Sequence, residues 1–136
     1  MTPTLLLRIA AGILALFTVG HSFGGLQKWS PMGDNEVLRQ MTNVHFQTMG
    51  VNRSYLDFYV GFGWSLTVAM LLQTVLLWQV ASLARVDVAR ARPMILTFVV
   101  ATVVSAAIAW RFIFPLPALF SVALLIPLLW AYMIAR

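Results

Sequence analysis

The segment PMILTFVVATVVSAAIAWRFIFPLPALFSVALLIPLLWAYMI, residues 93–134, carries a single charged side chain, Arg111. A membrane-spanning helix needs roughly 20 mostly apolar residues at about 1.5 Å of rise each. Two such spans fit the segment, residues 93–114 and 117–134, with Phe114-Pro115-Leu116-Pro117 as the turn between them. Arg92-Pro93 is expected to open the third span, since a proline at a helix start loses an N–H that has no helical partner anyway. Pro127 lies inside the fourth span and should kink it, a neighbouring helix satisfying the freed carbonyl of Ala123.

The same reading extends outward to residues 55–84, which carry Asp57, Gln73 and Gln79, and to residues 5–25, interrupted by Arg8 and His21 and closed by Gly24-Gly25. Composition agrees: of 136 residues, 61% are hydrophobic and only 10% charged, against about a quarter charged in soluble domains. The expectation is an all-α integral membrane four-helix bundle, one transmembrane domain over residues 1–136, with an amphipathic helix in the outer loop between helices 1 and 2. A cleavable leader ending near Thr18-Val19-Gly20 is the rival reading of the N-terminus.

The chain has no cysteine, which excludes thiol redox chemistry and thiolate metal ligation. Its net charge of +5 is spread over loops without a basic run, so nucleic acid is not an expected partner. No phosphate-cradling glycine loop, nucleophile elbow or His-Glu-x-x-His motif is present. The chain is too short for the repeated halves of a typical secondary transporter. With four spans both termini share a side. Arg8, Arg85, Arg90, Arg92 and Arg136 fall there, against Lys28, Arg39, Arg53 and Arg111 on the other, and three arginines crowd the loop 85–92. The positive-inside rule then puts both termini in the cytoplasm. Trp78 and Trp130 fall near the inner interface, Trp29 and Trp110 near the outer one.

The loop 26–54 is the one long polar segment. Asp34 suits an N-cap and Gly50 a stop. Between them Val37, Leu38, Met41, Val44, His45 and Met49 recur at helical spacing, which predicts an amphipathic helix over residues 35–49, lying on the membrane or capping the bundle. Met41, His45 and Met49 would then share one face, a donor set suited to Cu(I). The apolar face of the helix explains the same stripe, and no metal is assigned.

His21 lies one turn before the end of the first span, Asp57 just inside the second, and Arg111 at the matching end of the third, so the three are expected to share a layer. Ionisable groups inside spans face the protein interior or a wet cavity and are functional candidates by default. His21 and Asp57 are the candidate catalytic pair, able to exchange a proton with a ligand; a clasp between two helices is the alternative, as is a pairing of Asp57 with Arg53 one turn away. Ligand-binding candidates are His21, Asp57, Tyr59, Trp64 and Arg111, among aromatics concentrated at the outer end. Gln73 lies deep and calls for an interhelical hydrogen bond. Small residues spaced by four, such as Gly61 and Ser65, fit close helix packing, a homodimer or a membrane-complex partner.

The opening Leu5-Leu6-Leu7-Arg8-Ile9-Ala10-Ala11-Gly12, with Gly20-His21, Gly24-Gly25 and Lys28, resembles the start of the DoxX-like group of small bacterial four-helix membrane proteins. The run from Asn52 and Arg53 through Asp57 to Gly63 is similar to uncharacterised proteins of that group. The resemblance implies four spans in the bacterial inner membrane with a short basic cytoplasmic loop. Some relatives are linked to quinone-coupled sulfur oxidation or to membrane oxidoreductase complexes. It carries no catalytic residue over.

Three functions stay open: a module binding an apolar small molecule (quinone, isoprenoid or lipid) in the outer half, an intramembrane isomerase or cyclase using His21 and Asp57, and a structural or accessory subunit. No cofactor is named by the sequence. The spans lack the continuous polar stripe of a channel.

Overall fold

The computed structural model describes residues 1–25, 30 and 32–135. Lys28, Trp29 and Arg136, assigned to the interfaces above, lie outside the described residues. In chain order the elements are α1 (Pro3–Gly20), continued by a π-helical turn (His21–Gly25), α2 (Glu36–Asn43), β1 (His45–Thr48), β2 (Val51–Ser54), α3 (Tyr55–Val86), α4 (Val88–Phe112) and α5 (Pro115–Ile134).

Among the described residues, four helices are long and apolar enough to cross a membrane: Pro3–Phe23, Tyr55–Val86, Val88–Phe112 and Pro115–Ile134. Their most apolar windows have mean hydropathies of 1.7 to 2.0, yet only 33% of the first window and 22% of each of the others is buried. Water-soluble chains keep large apolar surfaces covered, so this outward-facing hydrocarbon is the signature of a multi-pass membrane protein.

Local chemistry fixes where the helices start. Thr2 Oγ1 accepts from the amide of Leu5 at 3.3 Å, with Pro3 at the first helical position of α1. Asp87 caps α4, accepting from the amide of Arg90 at 3.0 Å and pairing with its guanidinium at 3.1 Å. This cap corrects the boundary expected at Arg92-Pro93. The basic loop 85–92 shrinks to the single linking residue Asp87, and Pro93 is absorbed into α4. α5 opens at Pro115 rather than Pro117, with Phe114 extended before it, and holds a buried Pro127 in its interior.

The loop between the first two candidate spans departs further from expectation. Its helix spans only Glu36–Asn43, and the N-cap is Asn35, one residue past Asp34, accepting from the amide of Leu38 at 3.0 Å. Residues 44–49 are not helical. β1 and β2 form an antiparallel hairpin with Thr48 opposite Val51 and His45 opposite Ser54. Met49 and Gly50 make the two-residue turn, at φ 48° and 80°, the left-handed geometry that matches the twist of paired strands. Gly50 therefore turns a hairpin instead of stopping a helix. Met41, His45 and Met49 fall on three different elements, which dissolves the expected stripe.

Chain contacts cluster into two compact units, 1–17 with 71–136, and 18–70. The first has one core, fed by Leu6, Leu7, Ala10, Ala11 and Leu14 of α1, Leu77, Val80 and Ala81 of α3, Ala91, Ile95 and Val99 of α4, and Leu124, Leu128 and Ala131 of α5. The alternation of leucine with alanine lets backbones approach closely. Phe17 stacks on Phe120 with ring centroids 4.8 Å apart. In the second unit, an aromatic chain ties the hairpin to the head of α3: Phe46 meets Tyr55 at 5.2 Å and Phe58 at 5.7 Å, and Phe58 meets Phe62 at 4.9 Å.

Leu77 is 0% exposed and its neighbour Leu76 39%. Leu77→Ala is expected to destabilise the protein by about 2–5 kcal/mol, and Leu76→Ala by far less, measured as thermal unfolding in one detergent.

Candidate functional site

The second unit brings two sets of polar residues to α3. The first gathers where the π-helical turn meets the helix. A π turn adds one residue to the helical repeat and re-aims the side chains it carries. His21 Nδ1 lies 3.1 Å from Thr67 Oγ1, and Ser22 Oγ donates to the carbonyl of Thr18 at 2.8 Å and lies 3.4 Å from the same threonine. Thr67 Oγ1 in turn donates to the carbonyl of Gly63 at 3.3 Å. With its proton so used, the threonine oxygen is the acceptor for His21 Nδ1–H. The lone pair on Nε2 is then the one left for a ligand.

The second set is at the head of α3. Ser54 Oγ accepts from the amide of Asp57 and Asp57 Oδ2 accepts from the amide of Ser54, both at 3.0 Å. This is a reciprocal capping box, and Ser54, only 4% exposed, is locked by it. The Ser54-x-x-Asp57 spacing is its sequence signal. Arg53 donates to the carbonyl of Asn52 at 2.9 Å, and no ion pair joins it to Asp57 among the described residues.

His21 and Asp57 thus have different partners. Thr67 lies ten residues beyond Asp57 in α3, about 15 Å along the axis. At 32 residues α3 is about 48 Å long, well over the roughly 30 Å of hydrocarbon in a bilayer. Its first turns can therefore project beyond the apolar layer, which is why equal depths counted from the ends of the apolar runs do not bring the two side chains together.

One face of α3 carries a shallow groove of about 360 Å³ lined by Arg53, Asp57, Phe58, Gly61, Phe62 and Ser65. The i, i+4, i+8 spacing of Asp57, Gly61 and Ser65 places them along one stripe. A Cβ built on Gly61 meets nothing within 4 Å, and Ser65 Oγ turns back to the carbonyl of Gly61 at 2.9 Å. The floor is therefore open and its hydroxyl engaged, the two phenylalanines form an edge-to-face wall, and the charged groups collect at the Arg53–Asp57 end. Arg53, Phe58, Gly61, Phe62 and Ser65 are additions to the sequence-based set. Of that set Asp57 lines the groove, whereas Tyr59 and Trp64 lie on α3 outside its lining, each about half exposed. Arg111 belongs to the first unit, where its guanidinium lies 5.1 Å from the ring of Phe112.

No family model, curated protein or solved structure matches the chain.

The geometry around His21 predicts a tautomer. In ¹⁵N spectra its ring is expected as the Nδ1–H form, and Thr67→Val is expected to shift it toward Nε2–H. An unchanged ring spectrum would mean that Thr67 does not hold the imidazole.

Proposed function

We propose that the protein is a four-helix bundle of the bacterial inner membrane, related to the DoxX-like group, with both termini in the cytoplasm. In this reading it holds an apolar small molecule, such as a quinone, isoprenoid or lipid, at the outer end of α3. The observation that carries this reading is the α3 groove: two phenylalanines as a wall, an unfilled glycine floor, and charged groups confined to one end. Apolar ligands with a polar head are held by that combination. His21 Nε2 offers a second polar contact on the same helix-and-turn unit. The DoxX-like kinship draws on the motif from Leu5 to Gly25, and the orientation on the arginines at the α3–α4 junction.

Gln73 favours a second reading, membership of a larger membrane assembly. It sits near the middle of α3, is exposed, and its amide makes no hydrogen bond among the described residues, so the interhelical bond expected within the chain is not made there. A polar side chain facing hydrocarbon is costly, and a neighbouring protein helix would supply the missing partner.

Mass spectrometry of organic extracts tests the ligand. The wild type is expected to yield a defined apolar molecule, and Gly61→Leu, whose Cβ would meet no atom within 4 Å and whose longer side chain would occupy the groove, to lose it while keeping its unfolding temperature. Bulk phospholipid alone in both extracts would overturn the ligand reading and leave the assembly reading standing.

A further inference from the structure

A second kind of site lies in the first unit, at the end of the spans that carries the N-terminus of α1. Arg8 is five residues into α1, about 7.5 Å from its start, on an exposed face otherwise made of Leu5, Ile9 and Leu16. Its guanidinium lies 5.2 Å from the centre of the Trp78 ring. Arg92 repeats the arrangement on the next pair of helices, 4.7 Å from the ring of Tyr132. Both arginines are exposed.

Neither guanidinium has a hydrogen bond or an ion pair to a protein acceptor among the described residues. α1 contains no acidic residue. The nearby acid in sequence, Asp87, is engaged in capping α4 and pairing with Arg90. Each guanidinium therefore lies over an aromatic face, and its N–H groups have no protein acceptor among the described residues. In an apolar setting an arginine is costly unless it reaches an anion or the interface. Trp78 lies eight residues, about 12 Å, from the end of α3. Since α3 exceeds the hydrocarbon thickness, that depth is close to the headgroup layer, where phosphate oxygens lie and tryptophan and tyrosine collect.

We propose that Arg8 on Trp78 and Arg92 on Tyr132 are binding sites for the phosphates of anionic phospholipids. The planar guanidinium presents paired donors to two phosphate oxygens, and the indole or phenol ring packs against the glycerol and upper acyl carbons. Positive charge with no counter-ion among the described residues selects a net-negative lipid over a zwitterionic one. The proposal rests on the spans but not on the α3 groove, whose ligand is read in a different variant.

The test is native mass spectrometry of the full chain released from micelles containing equal phosphatidylglycerol and phosphatidylcholine. The wild type is expected to retain phosphatidylglycerol over phosphatidylcholine by about fivefold per site, the effect of one basic side chain near an anionic surface. Arg8→Gln and Arg92→Gln should each remove part of that excess, the double variant all of it, and Arg8→Lys should restore part of it. Equal retention of the two lipids by the wild type overturns the proposal without any variant. So does a folded double variant that keeps the wild-type excess. Displacement by inorganic phosphate at equal concentration would identify a site for a soluble anion and overturn the lipid assignment.

Discussion

Hydrocarbon offers no partner to a polar group, and that constraint organises the apolar part of this chain. Backbone amides are satisfied along four long helices. The hydroxyls placed in those helices answer the same demand locally: Ser22, Ser65, Thr67, Ser82, Thr97, Thr102 and Ser121 each donate to the carbonyl four residues back. No buried side-chain nitrogen or oxygen is left without a partner among the described residues. The proline inside α5, Pro127, lies in a buried stretch of the helix. Helix contacts are then free to be apolar and close, with alanine opposite leucine in the shared core of the first unit.

Against that background the unsatisfied or re-aimed polar groups stand out, and they are few. His21 is turned by the π-helical segment onto Thr67, keeping one ring nitrogen in hand. Arg8 and Arg92 lie on aromatic faces with donors to spare. Gln73 is exposed in mid-helix. Asp57, by contrast, is spent on the backbone of Ser54. A carboxylate committed to a helix cap is a poor general base, so acid/base catalysis by a His21–Asp57 pair gains no support from the geometry, whereas ligand binding along α3 needs no such pair.

The four apolar helices are legible in the sequence because span length and hydrophobicity are bulk properties that survive errors of a few residues. Their junctions are less so. Asp87 as a one-residue link looks like part of a basic loop until its cap to Arg90 is seen, and Pro93 marks a helix start only if nothing upstream caps one. The hairpin is hidden by Met49, a residue type that rarely takes positive φ. Its turn therefore lacks the Asn-Gly or Asp-Gly signal, and Val44, His45 and Met49 mimic helical spacing. At the candidate site Asp57 was legible as a polar residue at a helix head. Its cap to Ser54 is readable in the Ser54-x-x-Asp57 spacing, whereas the distance from His21 is not, because depth counted from the edges of apolar runs assumes that α3 ends where the hydrocarbon does. The aromatic wall of the groove depends on which face of α3 stays uncovered, and spacing alone does not tell that.

Four candidate spans, in the orientation proposed above, require the hairpin to face outward and the α3–α4 junction to face the cytoplasm. The chain has no native cysteine, so single replacements report cleanly. Met49 at the hairpin tip is 100% exposed and Val86 at the end of α3 is 82% exposed. With a membrane-impermeant maleimide on spheroplasts, Met49→Cys is expected to react from outside and Val86→Cys only after the membrane is opened. Reaction of Val86→Cys in sealed spheroplasts, or equal reaction of both positions, would contradict the account.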